Sequence, residues 1–315
     1  MAAQSSFPQR SGPARRDRDD FDLVLPLPIQ TVQFIERQQQ LSGSEFVPEN
    51  LGLWLDRLIP VNRADRKSAF GLSGEARHVA LTAWCGRRYT SQLAAQALSR
   101  QREAVTALHS VYDSQGNKRC LAIRVRAKQN GRLLMDGGRA HPLSASLSFH
   151  PQWGVPRIAG SAVKGAIRSL AGAEGANDLL ETMGIEEKGL PGQASQVVFY
   201  EALPVDGKFM LAIDVVTPHY GKYYTGSEPP SERMNPVPHS FLTVVETTFE
   251  FWIAAELMPA EGEDESQGNS GIDARINKAV KTLSDARKYL VLALKEWGVG
   301  GKTSAGYGRF AILPE

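Results

Sequence analysis

The chain has 315 residues, of which 42% are hydrophobic, and this content supports a sizeable core and excludes a disordered protein. Its two cysteines, Cys85 and Cys120, are too few for a disulfide framework or a self-contained zinc site, and no apolar run approaches the length of a membrane span. The net charge of +2 hides an uneven distribution, because residues 71–170 carry fifteen basic and four acidic side chains whereas residues 171–315 carry twelve basic and twenty-one acidic. Either a basic surface faces a polyanion, or the two parts neutralise each other in the fold.

Polar segments mark the limits of the predicted domain. Residues 1–22 are charged and lack the apolar segment of a secretory signal, so we expect a disordered tail and a cytoplasmic protein. Residues 23–315 are expected to form a single domain. Within it, the acidic, glycine-containing segment 261–271 interrupts the regular patterns, and we expect a mobile loop there.

Helical and strand patterns alternate along the chain. Apolar periodicity predicts helices at 50–60, 91–112 and 272–294, the second with an apolar face of Leu93, Ala97, Leu98, Val105, Leu108 and Val111. Residue types predict strands at 118–126, 144–149, 196–200, 209–216, 241–253 and 309–313. The first of these strands carries Arg124 and Arg126 on the face opposite its apolar side chains. This order indicates an α+β fold with helices on one face of a sheet.

A helix N-terminus near residue 160 is the first candidate anion site. Ser161 is predicted to be the N-cap of a helix that runs to about Leu170. Gly160, Ser161 and Lys164 then lie where free N–H groups and the helix dipole favour phosphate. Ser161 and Lys164 also match the Ser-x-x-Lys of serine acyl-enzymes, but those enzymes' middle motif has no convincing counterpart and the chain shows no export signal.

An aromatic loop follows the strand predicted at 209–216. Residues 217–224, Thr-Pro-His-Tyr-Gly-Lys-Tyr-Tyr, concentrate three tyrosines with His219 and Lys222. Aromatic rings stack on unpaired bases, which suits the binding of single-stranded RNA. His219 and Lys222 could instead act as base and acid in metal-free RNA cleavage. No spacing of histidine and cysteine in the chain resembles a zinc site.

A glycine loop at residues 298–309 lies between the last helix and the last strand. Its glycines 298, 300, 306 and 308 form Gly-x-Gly, five residues, Gly-x-Gly. The loop is not a Walker A motif, because Glu296 stands where that motif needs its first glycine. Two interpretations are left open. The loop is a tight turn, or it turns its N–H groups inward and holds a phosphate with the help of Lys302, Thr303, Ser304 and Arg309.

These motifs carry a resemblance to a known family. The pattern Gly-Val-Gly-x5-Gly-Tyr-Gly-Arg at 298–309 resembles the glycine-rich loop of the RAMP superfamily of CRISPR RNA-binding proteins. Residues 158–168 are similar to the PGSSxKGxxR segment of that superfamily, with Ala159 in place of the usual proline. Segments 50–60, 214–224 and 235–242 resemble a RAMP subunit of the type III-B, or Cmr, effector complexes.

The resemblance implies a ferredoxin-like (RRM-like) fold with insertions and a subunit that caps a CRISPR ribonucleoprotein near the 3′ end of the CRISPR RNA. It implies no catalytic activity of the subunit's own, and we expect no cofactor or metal. The implied partners are the 3′ region of the CRISPR RNA, with target RNA as a further candidate, and other Cmr subunits: the backbone RAMP subunit, the small helical subunit and a further RAMP subunit at the same end. Two alternatives are an endoribonuclease that processes CRISPR RNA with His219 as base, and a protein-bridging subunit without RNA contacts.

The motifs and the resemblance together give a set of residues expected to contact RNA. They are Arg157, Gly160, Ser161, Lys164, Arg168, His219, Tyr220, Lys222, Gly300, Lys302, Thr303, Ser304, Gly306 and Arg309.

Overall fold

Helices and strands alternate in the computed structural model. It describes residues 48–57, 84–137, 147–184, 194–231, 238–257 and 271–314, with short pieces at 23–24, 61–62, 81–82 and 235–236 and the single residues Gln33, Arg37 and His78. The described helices are α1 (Leu51–Arg57), α2 (Gln92–Leu108), α3 (Gly160–Ala173), α4 (Asn177–Thr182), α5 (Gly221–Tyr224) and α6 (Ile272–Leu292). The predicted tail at 1–22 and residues 261–270 of the predicted acidic loop lie outside the described residues.

Thirteen strands are described. They are β1 (Leu23–Val24), β2 (Val61–Asn62), β3 (Arg88–Thr90), β4 (Ser110–Tyr112), β5 (Lys118–Cys120), β6 (Ala122–Asn130), β7 (Arg132–Leu133), β8 (Val197–Phe199), β9 (Leu203–Pro204), β10 (Lys208–Val216), β11 (His239–Val245), β12 (Thr248–Ala255) and β13 (Arg309–Ile312). β1 pairs with β2 as a small separate sheet, and β4 pairs with β5 as a hairpin. The α+β class predicted from the sequence is confirmed.

The central sheet has the strand order β13-β6-β12-β8, and β9 also pairs with β12. All of its pairings are antiparallel, so β6 runs parallel to β8, and β12 runs parallel to β13. Helix α3 lies between β6 and β8 in the chain, and α6 lies between β12 and β13. Two strand–helix–strand crossovers therefore interlock in one sheet.

A second antiparallel sheet has the order β3-β10-β11-β7. It continues from the central sheet, because β6 passes into β7 at Gly131 and β11 passes into β12 through Glu246 and Thr247. The single strand predicted at 241–253 is therefore wrong in one respect. Glu246 adopts a φ of 46°, and this left-handed residue breaks the predicted strand into β11 and β12.

The main core lies between the central sheet and helices α3 and α6. Phe249, Phe251 and Ile253 of β12 are buried on the helix-facing side, and Phe249 and Phe251 pack edge-on against Phe310 of β13. The helices bury apolar stripes against them: Val163, Ile167 and Leu170 from α3, and Ile276, Ala279, Leu283, Ala286 and Leu290 from α6. The long amphipathic helix predicted near the C-terminus is thus confirmed, and it ends in a π-helical turn, Ala293–Trp297.

A buried ion-pair cluster holds α2 near the opposite face of the central sheet. Glu250 of β12 is fully buried, and its carboxylate accepts hydrogen bonds from Arg102 of α2 at 2.7 Å, Arg126 of β6 at 3.0 Å and the Trp252 indole at 2.9 Å. Burial raises the pKa of Glu250, but the hydrogen bonds from Arg102, Trp252 and Arg126 outweigh burial and hold the pKa below its ordinary value. Arg126, predicted for a basic strand face, therefore has its charge balanced within the fold.

Helix α2 is shorter than predicted and buries only part of the predicted face, since Leu98 and Val105 are buried. Ser91 caps its start by accepting a 3.2 Å bond from the Ala94 N–H, and residues 110–112 form β4 instead of a last helical turn. Leu93 and Leu108 are 48% and 73% exposed, because the inward stripe is Ala94, Leu98, Arg102 and Val105. The strand predicted at 144–149 is also wrong where it is described, since Phe149 makes a single bridge with Pro156.

Candidate RNA-binding surface

The glycine loop leaves α6 and enters β13 through a series of left-handed residues. Gly298, Gly300, Gly306 and Gly308 have φ values of 83°, 100°, 86° and 69°. Lys302 also has a positive φ, 61°, which is uncommon for a residue with a side chain. It directly precedes a 3₁₀ turn at Thr303–Ala305.

The glycines of this loop are required for two different reasons. A Cβ at Gly308 would lie 2.0 Å from the carbonyl oxygen of Val299, and one at Gly300 would lie 2.5 Å from that of Leu134. These positions allow backbones to approach closely inside the fold, as a tight turn requires. Gly306 would place its Cβ in open space, so only its positive φ favours glycine there.

The loop leaves a run of backbone donors unused. Gly301 and Gly308 each donate a 2.7 Å hydrogen bond to a carbonyl of the β7 segment, and this fixes the base of the loop. Within the described ranges, no acceptor faces the N–H groups at the tip, which belong to Gly300, Lys302, Thr303 and Ser304. Consecutive N–H groups beside an exposed lysine form an anion-binding arrangement. The loop is therefore a tight turn at its base and has the donors of a phosphate cradle at its tip.

A hydrogen-bonded chain ties the loop to the second sheet. The Tyr307 hydroxyl donates to the carboxylate of Asp214 on β10, which also pairs with Arg132 of β7 at 3.1 Å. Arg132 donates further to the Ile213 carbonyl at 3.0 Å and the Thr243 hydroxyl at 3.1 Å. Burial, together with the hydrogen bond to Asp214 and its charge, raises the pKa of Tyr307 to about 12, so the phenol keeps its proton at neutral pH.

A pocket of about 350 Å³ opens beside this loop. Val216 and His239 are paired across the ends of β10 and β11, and Phe241 lies two residues further along the same face. The Lys302 ammonium lies 5.6 Å from the centroid of the Phe241 ring and 5.9 Å from that of Tyr307. The lining comprises Leu134, Gly137, Val216, His239, Ser240, Phe241 and Lys302.

The start of helix α3 differs by one residue from the prediction. Ala159 is the N-cap and the helix begins at Gly160, so the assignment of Ser161 as N-cap is wrong. The helix start is set by close packing, because a Cβ at Gly160 would lie 2.0 Å from the carbonyl oxygen of Phe199 on β8. In the described structure the N–H groups of Gly160 and Ser161 donate to no backbone acceptor, as the predicted anion site requires.

Four basic residues predicted for the start of α3 and for the glycine loop differ in the partners of their side chains. Lys164 is half-buried one turn into α3, and Arg168 on the next turn donates a 2.7 Å bond to a backbone carbonyl after α4. Arg157 is paired with Glu201 at 3.2 Å, so its charge is balanced within the fold. Arg309 is exposed at the start of β13, directly after the glycine loop. Of these four, Lys164 and Arg309 have no salt bridge or hydrogen bond from their side chains to another described residue.

The aromatic loop leaves β10 next to the pocket. His219 and Tyr220 are exposed, and the turn of helix α5 that follows presents Tyr223 and Tyr224, whose ring centroids are 5.5 Å apart. Lys222 lies in that helical turn, and its side chain is outside the described structure. The predicted cluster of exposed rings is therefore present.

The structure brings the glycine loop, the pocket and the first residues of the aromatic loop to one end of the second sheet. The π-helical turn before the glycine loop also contacts helix α3. Sequence reasoning missed Asp214, Arg132 and the pocket residues His239 and Phe241. Their roles depend on pairing between distant segments, and the one local signal was Tyr307 between two glycines. Among the described residues, no group of three or more His, Cys, Asp or Glu side chains could hold a metal ion. None of the described helices is long and apolar enough to cross a membrane.

Part of the chain is similar in sequence to a known CRISPR protein. A stretch of 141 residues is 31% identical to the CRISPR system Cmr subunit Cmr6 of Pyrococcus furiosus, and it covers 42% of this chain and 34% of that protein. The match thus spans about a third of the relative's length. One chain in the cryo-EM structure of a type III-B Cmr-beta complex bound to cognate target RNA aligns with a TM-score of 0.52 and 20% identity, over 76% of this chain and 71% of that chain. At this identity the alignment shows similarity of fold.

The family model of the RAMP superfamily matches residues 130–311, which run from the end of β6 through β13 and include α3, the aromatic loop and the glycine loop. This match covers more than half of the chain. The protein therefore belongs to the RAMP superfamily.

Proposed function

We propose that this protein is a non-catalytic RNA-binding subunit of a type III-B CRISPR effector complex of the Cmr kind. In this proposal it caps the complex near the 3′ end of the CRISPR RNA and takes part in defence against foreign RNA. The observation that carries the proposal is the tip of the glycine loop, where unpaired N–H groups lie beside the exposed Lys302. The similarity to Cmr6 supports the choice of complex.

The proposal includes a ferredoxin-like core. Strand order β13-β6-β12-β8, with α3 and α6 as the two crossovers, corresponds to a strand–helix–strand–strand–helix–strand unit whose sheet order is fourth, first, third, second. In this unit the start of α3 and the glycine loop after α6 are the two segments proposed to bind phosphate. The second sheet and α2 are then additions to that core.

The proposed partners are those that the resemblance of the sequence motifs to RAMP proteins implies. The 3′ region of the CRISPR RNA would bind along the glycine loop and the start of α3, and target RNA is a second candidate ligand for the same end. The neighbouring proteins would be the backbone RAMP subunit, the small helical subunit and a further RAMP subunit. Such a complex would work in the cytoplasm.

The test removes the charge at the loop tip. Lys302→Ala should weaken binding of single-stranded RNA and reduce the slope of log K against log salt concentration by about one. The matched control is Lys278→Ala, because Lys278 is also exposed but lies near the other end of α6. Equal RNA affinity and salt slope in the two variants would contradict the proposal. RNA-dependent assembly with co-expressed Cmr subunits, measured on the same variants, tests the placement in the complex.

An endoribonuclease is the competing function, because His219 is exposed in the aromatic loop next to the proposed RNA path. We expect repeat RNA incubated with the protein in the presence of a metal chelator to remain intact. Cleavage that His219→Ala abolishes would replace the non-catalytic proposal with the enzymatic one.

A further inference from the structure

The pocket beside the glycine loop is distinct from the row of N–H groups at the loop tip. Those N–H groups suit phosphate, whereas Leu134, Val216 and Phe241 give the pocket apolar walls. His239 and Lys302 add polar groups to its lining. A volume of about 350 Å³ lies in the range of pockets that hold small organic ligands, roughly 300–1,000 Å³.

We propose that this pocket holds one unpaired nucleobase of the RNA whose phosphate lies on the tip of the glycine loop. This inference rests on the proposed RNA-binding function and specifies how one nucleotide is held. A nucleobase has apolar faces and a polar edge, which match apolar walls with an imidazole at one side. Lys302 connects the two sites, because it belongs both to the loop tip and to the pocket lining.

The backbone conformation of Lys302 supports this assignment. Its φ of 61° turns the chain so that its ammonium lies over the Phe241 and Tyr307 rings. The bond from Tyr307 to Asp214 holds the loop against β10, the strand whose last residue, Val216, forms part of the pocket. The loop and the pocket are therefore parts of one rigid arrangement, as a site that binds a base and its phosphate together requires.

The test fills the pocket without touching the loop. Val216→Trp places an indole where the base would bind, and it should weaken the affinity of the full-length protein for a single-stranded RNA oligonucleotide roughly tenfold, the effect of losing one stacked base. Its salt slope should stay at the wild-type value, because no phosphate contact is removed. The matched control is Val215→Trp, since Val215 is exposed on the opposite face of the same strand, and its affinity should be unchanged.

A second measurement needs no pocket variant. The wild-type protein is irradiated with an RNA oligonucleotide that carries 4-thiouridine, and the crosslinked peptide is identified by mass spectrometry. We expect the crosslink in the peptide that contains His239 and Phe241. Wild-type affinity in Val216→Trp together with crosslinks elsewhere would overturn the pocket assignment and leave RNA binding intact. A wild-type protein that does not bind RNA would overturn both this inference and the proposed function.

Discussion

Alanine substitutions at Gly306 and Gly308 separate the two roles that the glycine loop combines. Both residues have left-handed φ values, 86° and 69°, so each alanine adds strain of about 1–2 kcal/mol. They differ in their surroundings. A new Cβ at Gly306 meets nothing within 4 Å, whereas one at Gly308 would lie 2.0 Å from the Val299 carbonyl oxygen and 2.8 Å from its nitrogen.

The second alanine must therefore displace backbone. The Val299 N–H donates a 2.9 Å bond to the Gly308 carbonyl, and the Gly308 N–H donates a 2.7 Å bond to the Arg132 carbonyl. Each buried group that loses its partner costs about 1–3 kcal/mol in addition to the strain. Gly308→Ala should thus destabilise the fold by at least about 3 kcal/mol, two to three times the cost of Gly306→Ala.

Thermal unfolding followed by circular dichroism measures the difference. At about 2–4 °C of melting temperature per kcal/mol, Gly306→Ala should lower Tm by a few degrees and Gly308→Ala by roughly ten. RNA affinity at a temperature where both variants are folded should fall for Gly306→Ala. Alanine disfavours the positive φ at this position, so the backbone shifts and the N–H groups at the loop tip change direction. Equal losses of Tm in the two variants, with RNA affinity unchanged in Gly306→Ala, would refute this division of the loop into a structural base and a binding tip.

Three further outcomes are expected from other parts of the molecule. Lys164→Ala should weaken RNA binding about equally for all sequences and flatten its salt dependence, which a salt titration of affinity measures; an unchanged salt slope would count against a phosphate at the start of α3. Glu250→Gln should cost about 1–3 kcal/mol of stability at pH 7 by urea unfolding, because the hydrogen bonds of the partly exposed Arg102 and Arg126 to this buried side chain lose their charged acceptor. The pKa of Glu250 in the folded protein is below its ordinary 4.5, so its carboxylate stabilises the wild type fully above pH 4.5. The wild type loses this stabilisation as pH falls through the folded pKa, whereas Glu250→Gln should show no such loss. Deletion of residues 261–270 should leave Tm and RNA affinity unchanged, provided Gly271 is kept, since its φ of 107° starts α6; a Tm several degrees lower would show that the segment packs.

The sequence predicted correctly the elements whose own residues carry a clear apolar pattern. Helix α6 and strands β10 and β13 were located within one or two residues, because long apolar periodicity, or a short stretch rich in aromatic and aliphatic residues, leaves few alternatives. The glycine loop was recognised for a similar reason, since four glycines at fixed spacing indicate special backbone geometry.

The errors occurred where a distant contact decides the local structure. In α2, Arg102 of the inward stripe pairs with Glu250, which lies 148 positions away in the sequence, so the pattern around the helix did not reveal it. The first residue of α3 is set by the approach of Gly160 to β8, so a good capping residue at 161 does not mark the start. The pocket likewise exists only because β10 and β11 pair next to the loop. Propensity is a weak guide wherever such tertiary contacts act.

Part of the uneven charge of the sequence is neutralised within the fold, as one of its two interpretations predicts. Several cations of the basic segment 71–170 are balanced by carboxylates of the acidic segment 171–315; the pairs are Arg102 and Arg126 with Glu250, Arg132 with Asp214, and Arg157 with Glu201. These charges hold the sheets and α2 together, so they are not available to neutralise RNA. Among the described cations predicted to contact RNA, Lys302, Lys164 and Arg309 make no side-chain salt bridge or hydrogen bond to a described residue, and we expect backbone N–H groups to add to the phosphate binding. A hydrogen bond from a backbone N–H releases no counterion of its own. We therefore expect the salt dependence of RNA binding to be shallower than the fifteen basic residues of segment 71–170 would suggest.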